Sequence, residues 1–136
     1  MRFMCWHVDY IKALPKDAGR SSIIEHGEPV EAGESLLVFA NFEKKDEQTK
    51  QDTVDRASLE IQKIAAQLGA GTIVLNPFAH LFAENAAPQE SMIMLTMLQK
   101  SLADHNFTVK KLSFGLFYEL ELKVKGHKLS RISRSV

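Results

Sequence analysis

Two short segments carry the residue types best suited to chemistry, Asn76-Pro77-Phe78-Ala79-His80-Leu81 and Phe114-Gly115-Leu116-Phe117-Tyr118. The first sets a histidine just after the strand-like Thr72-Ile73-Val74-Leu75, where a strand end presents side chains to a cleft. A neutral His80 there can orient a water or hydrogen-bond a hydroxyl; as an ordinary turn residue it would cap buried main chain with its ring nitrogens. The second segment puts Gly115 at the mouth of another strand, where backbone can approach a ligand with no Cβ in the way. Amides in such a turn can donate to the oxyanion formed when water attacks an ester carbonyl. Taken alone, a Phe-Gly pair is more often a plain strand entry. His7, in His7-Val8-Asp9-Tyr10, either ends the first strand or lines the same cleft.

Other chemistries find no motif. The chain has no Gly-rich phosphate loop, no His-Glu-x-x-His and no Gly-x-Ser-x-Gly elbow. Its five histidines, His7, His26, His80, His105 and His127, lack metal-ligand spacing, so neither a metal nor another cofactor is expected. The single cysteine, Cys5, excludes an internal disulfide framework and reads as a small core residue.

The elements that must position these residues follow from periodicity. Arg2–Val8 reads as a strand, and Lys12–Glu34, punctuated by Pro15, Gly19, Gly27, Pro29 and Gly33, as a polar loop or irregular hairpin. Ser35–Glu43 is a second strand and Lys44–Lys50 an exposed charged connector. A helix is expected from Asp52 or Thr53, with Val54, Ala57, Ile61, Ile64, Ala65 and Leu68 at helical spacing and Gly69 as its stop. Thr72–Leu75 is continuously apolar, the mark of a strand buried on both faces. Pro88 opens a second helix that runs to about His105 and buries Met94, Leu95, Leu98 and Leu102. Phe107–Leu112 and Leu116–Val124 are strands expected to form an antiparallel hairpin, and Lys128–Val136 is a last edge strand. Helices between strands argue for parallel crossovers, so the fold class is α/β: a mixed sheet with helices packed on it, in one domain covering residues 1–136.

The 136 residues are enough for a real core, and the first residues turn polar too quickly for a secretory signal. No apolar run reaches the roughly 18 residues of a membrane span, and the expected compartment is the cytoplasm. Net charge is zero, but Lys110, Lys111, Lys123, Lys125, Lys128, Arg131 and Arg134 crowd the last third. That third either follows a phosphate backbone or forms a solvated strand face of alternating charge.

The Asn76–Leu81 and Phe114–Tyr118 segments, together with His7–Tyr10, resemble the N-terminal editing domain of archaeal-type threonyl-tRNA synthetases, over nearly the whole chain. The resemblance implies a D-aminoacyl-tRNA deacylase-like fold and hydrolysis of L-serine wrongly attached to threonine tRNA, with no metal. It implies tRNA as partner through the 3′-terminal adenosine, the rest of a threonyl-tRNA synthetase, and a homodimer as one arrangement. Carried onto this chain, the catalytic positions are His80, Gly115 and Tyr118. The substrate-binding positions are His7, Phe42, Pro77, Phe78, Ala79, Phe114, Leu116, Phe117 and Arg131. The chain departs from the family where familiar members carry two tyrosines and a lysine, for it has Leu116, Phe117 and Tyr118. Arg131 stands nearest to where the family has a glutamate. Two other readings stay open: a D-aminoacyl-tRNA deacylase with chirality as its filter, and a degenerate domain that binds tRNA or protein without catalysis.

Overall fold

The computed structural model describes residues 1–81 and 84–136. Its axis is one long strand, β1 (Arg2–Ala18). Around it stand β2 (Val30–Ala32), β3 (Ser35–Asn41), β4 (Thr72–Pro77), β5 (Thr108–Lys111), β6 (Leu116–Val124) and β7 (Arg131–Ser135), all in one sheet. Two helices, α1 (Lys50–Leu68) and α2 (Pro88–Asp104), connect β3 to β4 and β4 to β5. Those three strands are parallel, as the intervening helices require, and the remaining pairings are antiparallel.

β1 runs well past the expected end at Val8 because distant strands complete it. On one edge its first half pairs with β3 and its second half with β2. On the other edge β7 takes the first half and β6 the second. Ladder partners on β6, far along the chain, override the local turn signals of Pro15 and the polar residues around it. Pro15, which lacks an amide hydrogen, sits beside a register shift between Pro15 and Asp17, where strands tolerate proline.

A second shift, between Val8 and Tyr10, changes which face β1 buries. Phe3 and Cys5 face the helices, whereas Val8, Ile11 and Ala13 all join the core on the opposite face. The odd-numbered residues thus switch layers across one bulge, because an extra residue inverts a period-two pattern. The helix-side core collects Leu36, Val38, Ile73 and Leu75 with Ala57, Ile61, Ile64, Leu95, Leu98 and Leu102. The other core sets Leu37, Phe39 and Val74 under the inward residues of β6.

The helices form as their patterns predict. α2 starts on Pro88 at its first turn and buries Met94, Leu95, Leu98 and Leu102. Gly69 caps α1 at φ +67°, the left-handed region. Three expectations fail. The supposed exposed connector is a short 3₁₀ turn, Lys44–Gln48, which buries Asp46 and closes a capping box with Glu43. α1 begins at Lys50, ahead of Asp52, with Thr49 as its cap residue and Thr53 buried. The expected hairpin of β5 and β6 does not form: among the described residues β5 pairs with β4 alone, and β6 crosses to β1. The short turn between β5 and β6 is what invited that reading, but β5 extends the parallel edge beside β4, and the inward residues of β6 pack on the second core.

Candidate active site

The carboxyl ends of β3 and β4 meet in a cleft of about 540 Å³. Parallel strands leave such a crevice because each chain departs into a helix instead of folding straight back. One wall is the end of β4 and the turn after it, Asn76 to His80; the facing wall is the turn into β6, Phe114 to Tyr118. The floor is Phe39 to Asn41 of β3 and Phe42 just after it, with Pro88, Ser91 and Leu95 of α2 beneath. A third wall was not foreseen: residues 19–21, the start of a strap that leaves β1 and crosses the β5–β6 turn.

The two segments singled out in the sequence therefore do converge. His80 lies in a 3₁₀ turn, Ala79–Leu81, with its ring edge-on to Phe78 at 5.3 Å between centroids. Phe78 leans on Phe39, and Phe39 on Trp6, so aromatic packing runs from the second core to the cleft rim. The amide of Phe78 donates to the Ala40 carbonyl (2.9 Å), tying the wall to the floor. Phe42, Pro77, Phe78, Ala79, Phe114, Leu116 and Phe117 all line the cleft, and Phe117 is 61% exposed at its rim.

Gly115 has φ +81°, which a side chain would strain, and a Cβ there would stand 2.3 Å from the Ile23 carbonyl oxygen. Its carbonyl accepts from the Gly19 amide (2.7 Å), while its own N–H has no acceptor among the described residues. The neighbouring Phe114 amide is committed to Glu25 Oε2 (2.6 Å), and Glu25 also accepts from Lys111 Nζ (2.6 Å). Burial alone would raise the Glu25 carboxyl. Those two hydrogen bonds and the charge of Lys111 outweigh burial and hold it below the usual carboxylate range.

Tyr118 lines the cleft, but its hydroxyl is engaged on both sides. It donates to the Glu28 carbonyl (3.2 Å) and accepts from the Ser113 amide (3.1 Å), fastening strap to turn. Two of the expected residues stand elsewhere. His7 pairs with Leu36 at the start of β3, whereas the cleft lies at the end of that strand, so the antiparallel register carries it away. It is 5% exposed. The Leu129 amide donates to His127 Nδ1 (3.2 Å), which puts the His127 proton on Nε2, facing His7 Nδ1 (2.9 Å). His7 then donates from Nε2 to Glu34 (3.3 Å). Arg131 opens β7 opposite Trp6 and lines no part of the cleft.

Two asparagines were missed. Asn41 Nδ2 donates to Asn85 Oδ1 (2.8 Å), and Asn85 Nδ2 donates to the Ala79 carbonyl (3.0 Å), pinning the His80 turn from below. The signal for Asn41 was a polar residue ending the apolar run of β3. The signal for Asn85 is absent from its neighbourhood, because its role depends on a contact 44 residues away.

Three of the seven cations of the basic last third have carboxylate partners among the described residues. Lys111 meets Glu25, Lys125 meets Asp9 at 2.6 Å, and Lys123 stands 3.8 Å from Asp9. The hydrogen bond from Lys125 holds Asp9 below its ordinary value and, reciprocally, raises Lys125.

The chain as a whole matches a known family. Residues 1–136 fit the Archaea-specific editing domain of threonyl-tRNA synthetase. The chain belongs to that family. The threonine--tRNA ligase of Thermococcus onnurineus is 33% identical over 139 residues, covering 100% of this chain and 22% of the relative. That of Hyperthermus butylicus is 35% identical over 128 residues, or 92% of this chain and 20% of the relative. The editing domain thus spans about a fifth of the length of the curated relatives it matches. Among solved structures the c-Myc DNA Unwinding Element Binding Protein superposes with a TM-score of 0.74, covering 100% of this chain and 99% of its own. At 12% identity that likeness speaks to fold alone. The editing domain is a proofreading, deacylase module, and its mixed α/β architecture, one mixed sheet with two helices, is the one expected for it. No helix among the described residues is long and apolar enough to cross a membrane.

Proposed function

We propose that the domain hydrolyses the ester of L-serine mischarged on threonine tRNA, using water held between its backbone and the 2′-hydroxyl of the terminal adenosine. The observation that carries this reading is the convergence of the His80 wall and the Gly115 turn on one cleft, with apolar atoms from Phe42, Pro77, Ala79 and Leu116 between them. A synthetic site for threonine gains only about 1–3 kcal/mol from the methyl that serine lacks, or roughly 10–200-fold. A second site that admits serine and clashes with the extra methyl raises the discrimination, and rigid apolar walls serve that exclusion better than mobile polar side chains.

The chemistry follows from what each group has left to offer. Water adds to the ester carbonyl, the oxygen gains charge, and the Gly115 N–H is the open donor for it. The tetrahedral adduct collapses by breaking the bond to the ribose 3′-oxygen, which leaves as the hydroxyl after taking up the proton released by the water. The 2′-hydroxyl lies beside the reacting carbon in any 3′-ester and prepositions the water, a contribution of several kcal/mol. His80, with no protein partner on its ring nitrogens among the described residues, meets the ribose or the water at the rim. Tyr118 has already spent its proton on Glu28 and keeps the walls in place.

Single-turnover hydrolysis of L-seryl- and L-threonyl-tRNA for threonine, each with a terminal adenosine or 2′-deoxyadenosine, tests the proposal. Serine should be released far faster than threonine, and the 2′-deoxy substrate should bind nearly normally yet react far more slowly. Equal rates for the two amino acids remove the editing assignment. Faster release of a D-amino acid would make chirality the filter.

A further inference from the structure

The cleft is neutral except at one point. Among the described residues that line it, no aspartate, glutamate or lysine appears, and Arg20 is the one side chain with a permanent charge. Three lysines of the adjoining strands have carboxylate partners: Lys16 meets Glu119 at 3.0 Å, Lys12 meets Glu121 at 3.8 Å and Lys111 meets Glu25 at 2.6 Å. Arg20 is exposed and has no ion pair among the described residues; Asp17, three residues before it, pairs across the ladder with Phe117 and makes no ion pair with Arg20.

Its position is fixed by the backbone around it. The Gly19 amide donates to the Gly115 carbonyl, and a Cβ at Gly19 would touch that oxygen at 3.1 Å and the Phe117 ring at 3.8 Å. Ser21 Oγ then accepts from the Ile23 amide (3.1 Å), turning the strap on the far side of Arg20. Arg20 thus follows a residue packed against the Gly115 turn and the exposed Phe117 ring, lines the cleft, and has no carboxylate partner among the described residues.

We infer that Arg20 is a positioning residue for the phosphodiester that joins the terminal nucleoside to the preceding nucleotide of a single-stranded RNA 3′ end. A planar fork of donors suits two phosphate oxygens, and no competing carboxylate lines the cleft. The neutral interior takes the nucleoside and its ester, while the single cation at the entrance takes the first anionic group outside it. This rests on the ester-hydrolysis reading above, and it makes the domain select a polynucleotide end over a free aminoacyl nucleoside.

The test compares two substrates, L-seryl-tRNA for threonine and 3′-O-L-seryl-adenosine, which has no phosphate, with the wild-type chain, Arg20→Ala and Arg20→Lys. Arg20→Ala should raise KM for the tRNA about tenfold with kcat unchanged and leave the nucleoside ester unaffected. The dependence of log(kcat/KM) on log[salt] should become shallower by about 0.7, one phosphate's worth for a single strand. Arg20→Lys should recover part of the loss and most of the salt slope. Equal losses on both substrates, or none on either, overturn the assignment. Should wild type hydrolyse neither ester, the editing reading falls separately, and binding of the trinucleotide CpCpA against adenosine decides about Arg20. Preference for CpCpA that vanishes in Arg20→Ala sustains it, and its persistence overturns it.

Discussion

At the scale of single residues, availability decides role more than residue type does. Tyr118 and Gly115 both line the cleft, but the tyrosine hydroxyl is saturated by main chain while the glycine amide is open. Tyr118→Phe should therefore cost about 1–3 kcal/mol of stability, because the Ser113 amide loses its acceptor, and less than tenfold in single-turnover rate. Abolished turnover with intact substrate binding would make Tyr118 a proton-transfer group after all. Gly115→Ala combines a left-handed backbone with a Cβ placed against Ile23, so the turn has to shift. A fall of order 10²-fold in kcat/KM is expected from the displaced donor. Wild-type rates in that variant would remove the amide from the mechanism. Cys5 offers no such role: burial pushes its thiol up to about 12, partly offset by Arg134. It should resist alkylation at pH 8 in the native protein and react once denatured, as thiol labelling with and without denaturant would reveal.

At the scale of elements, the strap between β1 and β2 and the turn between β5 and β6 act as one wall. Glu25 binds that turn in both directions, its carboxylate accepting from the Phe114 amide and its own amide donating to the Phe114 carbonyl (2.9 Å). Its carboxyl lies below the ordinary value in the folded chain. The unfolded chain then binds the proton first as pH falls, so this tie stabilises the fold fully above the unfolded carboxylate range, about 4.3, and is lost as pH drops through the lower folded value. The Phe114 amide proton should shift in a single acid step below that range in an NMR titration. Glu25→Gln should abolish the step and raise hydrogen exchange along the strap; an unchanged titration would mean that another carboxylate holds the turn. The His7, His127 and Glu34 chain makes a comparable tie at the other end of β3, far from the cleft.

At the scale of the molecule, the cleft and the core are separable. Leu98 is fully buried between the helices and the sheet, and it lines no part of the cleft. Leu98→Ala should cost about 2–5 kcal/mol through lost burial and a residual cavity, measured by urea denaturation. Deacylation at a temperature where the variant stays folded should match wild type. A parallel loss of activity would show that the α1–α2 layer sets the cleft walls directly.

The amino-acid sequence alone determined the elements with strong local periodicity and clear punctuation: both helices, their stops, the buried β4 and the alternating β6. It also marked the two segments that form opposing walls, because a histidine after a buried strand and a glycine before an amphipathic one are local signals. Pairing was beyond its reach. The extension of β1 through Pro15, the separation of β5 from β6 and the burial of Asp46 each depend on partners far along the chain. The same holds for the site. Whether the Tyr118 hydroxyl or the Gly115 amide is free, and whether His7 or Arg20 stands at the cleft, is settled by register and by hydrogen bonds across the fold. Local propensity acts over a few residues, whereas a ligand site is assembled from strand ends that only the sheet brings together.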